Sequence, residues 1–182
     1  MRIIREMKKC GLIGAYCTPH IMQRFPNTPE QLRERFREFA AHAADEDFVL
    51  RLAAEYMLDE GFEKAITSQP PLLWDDKYLL VELPQYMLPA GWMDSICLVK
   101  ELGYVPVLAH PERYGRVLML EDLLELAEQG VLFQGNTGSV MGYYGKRVQA
   151  FARNLQKHKL YHFWGTDAHS LDMFRHVARV AP

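Results

Sequence analysis

The stretch Tyr104–Arg116 reads YVPVLAHPERYGR. Its first half, Val105 to Ala109, is apolar and partly β-branched, with the length and character of a strand buried on both faces of a parallel sheet. Pro111 has no N–H to give to a ladder, so the strand ends at His110. An imidazole therefore stands at the carboxyl end of a buried strand, with Glu112 and Arg113 in the loop beyond it. In α/β sheets and barrels, that edge is where ligands bind and chemistry is done.

Working outward, the same arrangement recurs. Leu12 to Cys17 reads as a strand leading to Thr18-Pro19-His20, and Phe48 to Ala54 as one followed at once by Glu55. Lys77 to Val81 ends at Glu82 and is stopped by Pro84, Val131 to Gly135 ends in Asn136, and Leu160 to Trp164 delivers Gly165-Thr166-Asp167-Ala168-His169. Helices are expected between them. Met1 to Lys9 is closed by Gly11, and Thr28 caps a long amphipathic helix with Pro29 at its first position and Gln31 completing a capping box. Further helices are read over Leu58 to Ile66, Trp92 to Leu102 with Gly103 as cap, and Glu121 to Gln129 with Gly130 as cap. Lys146 to His158 has a basic outer face, and Leu171 to Val180 closes the chain.

Strands alternating with helices make a parallel α/β architecture, either doubly wound or a barrel. No G-x-G-x-x-G follows the first strand, and the polar strand ends recur along the whole chain instead of meeting at one crevice. A barrel, with every strand end at one mouth, produces that pattern. No linker, low-complexity tract or repeat divides residues 1–182, which are expected to form a single domain.

Bulk properties exclude more than they identify. The hydrophobic fraction is 49%, the charged fraction 24% and the net charge −2, so neither a nucleic-acid surface nor a polybasic membrane contact is indicated. No run approaches the ~18 apolar residues of a membrane span. The opening MRIIREMKKCG lacks the apolar core of a secretory signal, and Cys10, Cys17 and Cys97 are odd in number with no C-x-x-C. A reduced, cytoplasmic protein is expected.

The strand ends carry the chemistry. His20, Glu55, Glu82, His110, Asp167 and His169 are all imidazoles or carboxylates, and only Asn136 breaks the series. Converging on one rim, they form a mixed nitrogen and oxygen environment suited to divalent transition metals. Such ions can activate water and clamp a phosphoryl group between them. Arg113, just past His110, is placed to hold a phosphate through two parallel hydrogen bonds. His42, His158, His162 and His176 read as surface residues, and Asp75-Asp76 as a solvated turn. Cys17-Thr-Pro-His-Ile-Met-Gln-Arg24 looks superficially like a cysteine-phosphatase loop. It has one residue too many between Cys17 and Arg24, a Pro that removes an N–H, and no glycine, so Cys17 is read as a buried strand-end thiol.

These motifs together resemble a known family. T-P-H at 18–20, A-E-Y-M-L-D-E at 54–60, V-E-L-P at 81–84, A-H-P-E-R-Y at 109–114, N-T-G-S-V-M-G-Y-Y-G-K at 136–146 and G-T-D-A-H at 165–169 look like the CpsB/YwqE-type metal-dependent protein-tyrosine phosphatases of the polymerase-and-histidinol-phosphatase (PHP) superfamily. The resemblance runs through nearly the whole chain. It implies a PHP-type distorted (β/α)7 barrel, incomplete here with about six strands, and a cluster of up to three divalent ions: manganese first, iron or zinc otherwise. By that resemblance Glu55 bridges two metals, Glu82 and His110 complete one site, Asp167 joins Glu55 at another, and His20 and His169 serve the third. Arg113 matches the phosphate-contacting and catalytic Arg. The implied substrate is phosphotyrosine on a tyrosine kinase that controls capsule or exopolysaccharide export.

The likeness also has gaps. The family's first strand, with its H-x-H motif and an Asp-containing loop, precedes the helix in which Met1 falls, so fewer metals are expected here and open barrel edges offer a route to homo-oligomers. The Arg expected after His169 has only Arg175 as its counterpart. Two other readings use the same residues: a phosphatase for small phosphate esters such as histidinol phosphate, and a non-catalytic remnant that binds a metal or a partner.

Overall fold

The computed structural model describes residues 2–44 and 47–178; the expected helix ends at Met1 and at residues 179–180 lie outside the described residues. The order is α1 (Arg2–Lys9), β1 (Gly14–Cys17), β2 (His20–Ile21), α2 (Pro29–Ala43), β3 (Val49–Leu52), β4 (Glu55–Met57), α3 (Phe62–Thr67), β5 (Tyr78–Glu82), α4 (Trp92–Glu101) and β6 (Val105–Ala109). A 3-10 turn (Pro111–Tyr114), α5 (Leu120–Glu128), β7 (Leu132–Asn136), α6 (Thr137–Met141), α7 (Lys146–Lys157), β8 (Phe163–Gly165) and α8 (Leu171–Ala178) follow.

Every strand pairing is parallel and the six-stranded sheet follows chain order, β2-β4-β5-β6-β7-β8, with β1 and β3 as a separate pair. Parallel neighbours in chain order, each joined through a helix, roll a sheet toward a barrel. The roll is not closed by hydrogen bonds: β2 and β8 are the two edges among the described residues. Side chains span the gap instead. The ring of His169 stacks on His20 at 5.7 Å at one end, while Trp74 packs on Phe163 at 4.6 Å and Tyr16 on Trp74 at 5.6 Å.

Two of the expected strands are each followed by a short second one that lies beyond the expected range. Pro19 cannot donate to the ladder, so β1 and β2 separate there, although its carbonyl still accepts from the Glu55 N–H at 3.1 Å. Across from it the chain bends at the buried pair Ala53-Ala54, and Glu55, expected just after a strand, opens β4. The short helix α6 was not anticipated. The capping box at Thr28 is present, with Gln31 N–H donating to Thr28 Oγ1 at 3.3 Å, and the caps Gly103 and Gly130 have φ of +84° and +85°.

The two sheet faces differ. Outward residues Tyr56, Leu79, Val81, Leu108 and Phe133 merge with Phe62, Ile96, Val99, Leu123 and Leu155 of the helices into the main core. The inner face holds a small apolar plug, Leu80, Val107 and Ala109, flanked by Tyr78, Leu132 and Phe163. Above the plug the inward positions turn polar: His20 lies in register with Glu55, Met57 with Glu82, and Asn136 with Gly165. At Gly165 the amide end of Gln134 occupies the space that a Cβ would take. Tyr114, fully buried, ties the loop after β6 to the end of β5 by accepting from the Leu83 N–H at 3.0 Å.

Tyr114→Phe leaves that buried N–H without a partner. It is expected to cost about 1–3 kcal/mol, read as a lower urea midpoint with an unchanged slope. An unchanged midpoint would show that the link between the two strand ends contributes nothing.

Candidate metal centre

The inward positions of β2, β4 and β5 bring His20, Glu55 and Glu82 together, with potential ligand atoms all within 4.8 Å of one another. His20 Nδ1 stands 2.8 Å from Glu82 Oε1 and 3.4 Å from Glu55 Oε2. His110 enters from the next strand, its Nε2 at 3.0 Å from Glu55 Oε1 and 3.7 Å from Glu82 Oε2. Ala109 already points inward, so simple alternation would send His110 to the outer face. A left-handed backbone, φ +35°, redirects it. Asp167 is likewise left-handed, at φ +49°. Such conformations are uncommon for residues other than glycine and cluster at functional sites.

Both carboxylates are buried, at 4% and 7% exposure. The Glu82 carboxylate beside His20 holds its pKa above the ordinary 6.5 against the opposing effect of burial, with Glu55 and Asp167 adding to the rise. For His110, burial acts downward most strongly, yet the Glu55 carboxylate brings the net shift upward. For Glu55, burial acts upward, but His110 and then His20 bring the net shift below 4.5.

These charges attract, but they do not saturate one another. His20 Nδ1 and Glu82 Oε1 are close yet misdirected for a hydrogen bond, and both are buried without a hydrogen-bond partner. His110 Nδ1 is unpartnered as well. Buried polar atoms of this kind are rare and costly unless something else satisfies them. A divalent cation suits His20 Nδ1 and Glu82 Oε1, which with Glu55 face one space as a mixed oxygen and nitrogen donor set.

Asp167 organises a second group beside the first. Its Oδ2 accepts from Asn136 Nδ2 at 2.8 Å, Arg113 Nη1 at 3.2 Å and the Tyr144 hydroxyl at 3.5 Å. Arg113 lies over the Tyr144 ring at 5.0 Å, a cation–π contact. Burial foremost, with Asp167 second, pushes the Tyr144 hydroxyl up to about 12, so it remains a donor. His169 Nδ1 is 3.5 Å from Asp167 Oδ1, and its Nε2 is 3.4 Å from His20 Nε2. The imidazole pair thus joins the two groups. All six strand-end residues and Arg113 lie at one end of the rolled sheet, though Asp167 stands apart from the carboxylate cluster and pairs with Arg113.

Three residues outside the expected set belong to this assembly. Asn136, the exception in the series of strand ends, is fully buried and orients Asp167. Its inward position on β7 is the signal that could have identified it. Tyr144 follows the short helix α6 and carries no such signal. Glu112, 1% exposed, accepts from the Asn136 N–H at 2.9 Å and the Tyr161 hydroxyl at 3.1 Å, fixing β7 and the segment before β8 against the Pro111 turn.

The residues set aside behave differently. His42 and His158 each contact a carbonyl of their own helix, and His162 accepts from the Phe133 N–H at 3.2 Å. Asp75 is more than a solvated turn, since it accepts from Arg51 at 3.0 Å and from the Tyr16 hydroxyl. Arg175 pairs with Glu6 of α1 at 3.2 Å and takes no part in the site. Burial pushes the Cys17 thiol up, so it is a poor nucleophile.

Comparison with known proteins points the same way. Residues 1–176 match the family model for capsular polysaccharide synthesis, CpsB/CapC. The chain is 30% identical over 176 residues to tyrosine-protein phosphatase YwqE of Bacillus subtilis (strain 168), covering 94% of this chain and 69% of that protein. It is 30% identical over 182 residues to tyrosine-protein phosphatase CpsB of Streptococcus pneumoniae, covering 93% and 74%. A solved structure from a study of YwqE and CpsB, described as unique metal-dependent tyrosine phosphatases, superposes with a TM-score of 0.84 at 27% identity, covering 95% of this chain and 72% of that one. With its strand-end ligands in place and its sequence matched nearly end to end, the chain belongs to the CpsB/CapC family of capsular polysaccharide synthesis.

Proposed function

We propose that this protein is a metal-dependent phosphotyrosine-protein phosphatase that regulates capsular or exopolysaccharide synthesis. The observation that carries this reading is the unsatisfied buried pair of His20 Nδ1 and Glu82 Oε1, which share one space with the Glu55 carboxylate. We assign His20, Glu55, Glu82, His110, Asp167 and His169 as metal ligands, with manganese the preferred ion and iron or zinc as substitutes. Bound divalent ions would supply water activation and neutralise phosphoryl charge.

The chain's own groups supply the rest. Glu55 lies between the His20 and His110 imidazoles and would hold metal together with them. Arg113 receives the phosphoryl oxygens and steadies charge that builds on them, its guanidinium held in place by the Tyr144 face and by Asp167. Asn136 keeps Asp167 aligned when Arg113 turns to substrate. His169, 62% exposed, and His20, 28% exposed, put the site at the surface, within reach of a phosphate carried on a protein. The names of the phosphatase relatives support phosphotyrosine over a small ester. The reading takes residues 1–182 as one domain in the cytoplasm, acting on a tyrosine kinase of polysaccharide export. Unpaired Cys10, Cys17 and Cys97 support that compartment, and no described helix is long and apolar enough to cross a membrane. The unpaired edges of β2 and β8 support self-association.

Phosphotyrosyl-peptide hydrolysis is expected to require manganese and to vanish on chelation. Glu55→Gln is expected to lower kcat/KM by at least ~10–100-fold, since losing a ligand costs no less than losing the groups that orient one. Arg113→Ala is expected to lower it about 10²–10³-fold. Turnover that survives exhaustive metal removal would refute the mechanism.

The pH dependence of stability follows from the raised imidazoles and the lowered Glu55. In metal-free protein the raised pKa of His20 contributes stability fully below the ordinary 6.5, and that contribution fades as pH climbs through the higher folded value. Glu55 contributes above 4.5 and loses its contribution as pH falls through its lower folded value. Metal-free protein should therefore lose Tm as pH rises above the ordinary 6.5 of the imidazoles, while the Tm gain from manganese grows over the same rise because protons no longer compete for them. Thermal unfolding with and without metal checks this; a metal increment that shrinks with rising pH would contradict it.

A further inference from the structure

Beside the metal centre, a groove of 540 Å³ runs along α7. It begins at Glu112 and Arg113 and continues past Arg147 and Arg153 to Lys157, over an apolar floor that includes Phe151. Glu112 is the one carboxylate in its lining among the described residues, and it is already committed to the Asn136 N–H and the Tyr161 hydroxyl. Arg147 braces the wall by donating to the Gly115 carbonyl at 2.6 Å. Arg153 and Lys157 are exposed. On a protein of net charge −2, Arg147, Arg153 and Lys157 are a local concentration of cations that the hydrolytic site does not use.

We propose that this groove selects phosphotyrosine substrates by their acidic flanking residues. The inference rests on the phosphotyrosine reading above and names which sequences that site prefers. Three observations support it. Arg113 belongs to both places, since it pairs with Asp167 at the metal centre and lines the start of the groove, so a phosphate bound there leads its chain directly into the channel. Arg153 and Lys157 stand one turn apart on α7, with Arg147 at the start of the same helix, so an extended peptide lying beside α7 passes all three. The floor is apolar, suited to the backbone and aliphatic stems of such a peptide. From Arg147 to Lys157 the helix rises ~15 Å, the span of about four or five extended residues. Asp or Glu within about five positions of the phosphotyrosine, on one side of it, would meet Arg153 and Lys157.

The test compares peptides with neutral and with acidic flanks, each bearing one phosphotyrosine, and uses p-nitrophenyl phosphate as a small ester that cannot reach the groove. Acidic flanks are expected to raise kcat/KM about tenfold through a lower KM, with the advantage fading at high salt. Arg153→Glu with Lys157→Glu, both exposed positions, is expected to erase that preference and leave p-nitrophenyl phosphate turnover unchanged. Fluorescence anisotropy of the same labelled peptides on metal-free protein reads the preference without hydrolysis. If no substrate is turned over but acidic flanks still tighten binding, the phosphatase reading fails and the groove stands. Equal binding and turnover of both peptides, or a preference that survives the double charge reversal, would overturn the groove assignment. An acidic peptide without phosphotyrosine that binds as tightly as the phosphorylated one would overturn it as well.

Discussion

Two carboxylates, Glu55 and Glu82, face one space at the end of a parallel sheet, each with its side chain less than a tenth exposed. Like charges so placed cannot both remain ionised without compensation, since burial and mutual repulsion act in the same direction. The local structure answers that constraint. His20 comes alongside from β2, His110 is turned inward by a left-handed residue, and His169 stacks on His20 from across the open seam. Even so, His20 Nδ1 and Glu82 Oε1 remain buried and unsatisfied, which is why the cluster reads as a place for cations and not as a closed ion-pair network.

The scaffold separates stability from chemistry by face. The outward side of each strand carries large aliphatic and aromatic residues into the helices, where most of the apolar area is buried. The inward side contributes only a small plug and then gives way to polar positions. A rolled sheet can afford so polar an interior because its outer face holds it together. The same geometry explains why residues as distant along the chain as His20 and His169 touch: strands in chain order return the last loop to the first.

Much of this was legible in the sequence, for identifiable reasons. The run Val105–Ala109 is apolar throughout, so its existence and its end at Pro111 followed from composition and backbone chemistry alone. The strand-end series marked the site because a buried parallel strand leaves polar residues nowhere else to sit. What escaped was whatever depends on local bending. Glu55 was read as following a strand, whereas Ala53-Ala54 bend the chain and Glu55 begins a new one with partners on both sides. Asn136 looked like an exception because amide side chains are not typical metal ligands, yet it orients Asp167 by donating to its carboxylate. Tyr144 reaches Asp167 only because α6 and its left-handed end at Gly142 bring the chain back over the site, and no periodicity in so short a helix announces it.

The central claim is that His20, Glu55, Glu82 and His110 converge in order to hold metal. Diffraction from crystals grown with manganese, recorded at its absorption edge, tests this directly. The account predicts an anomalous peak bonded to His20 Nδ1, Glu82 Oε1 and a Glu55 oxygen. Peaks confined to other surfaces, with these side chains in contact only with one another or with water, would contradict it.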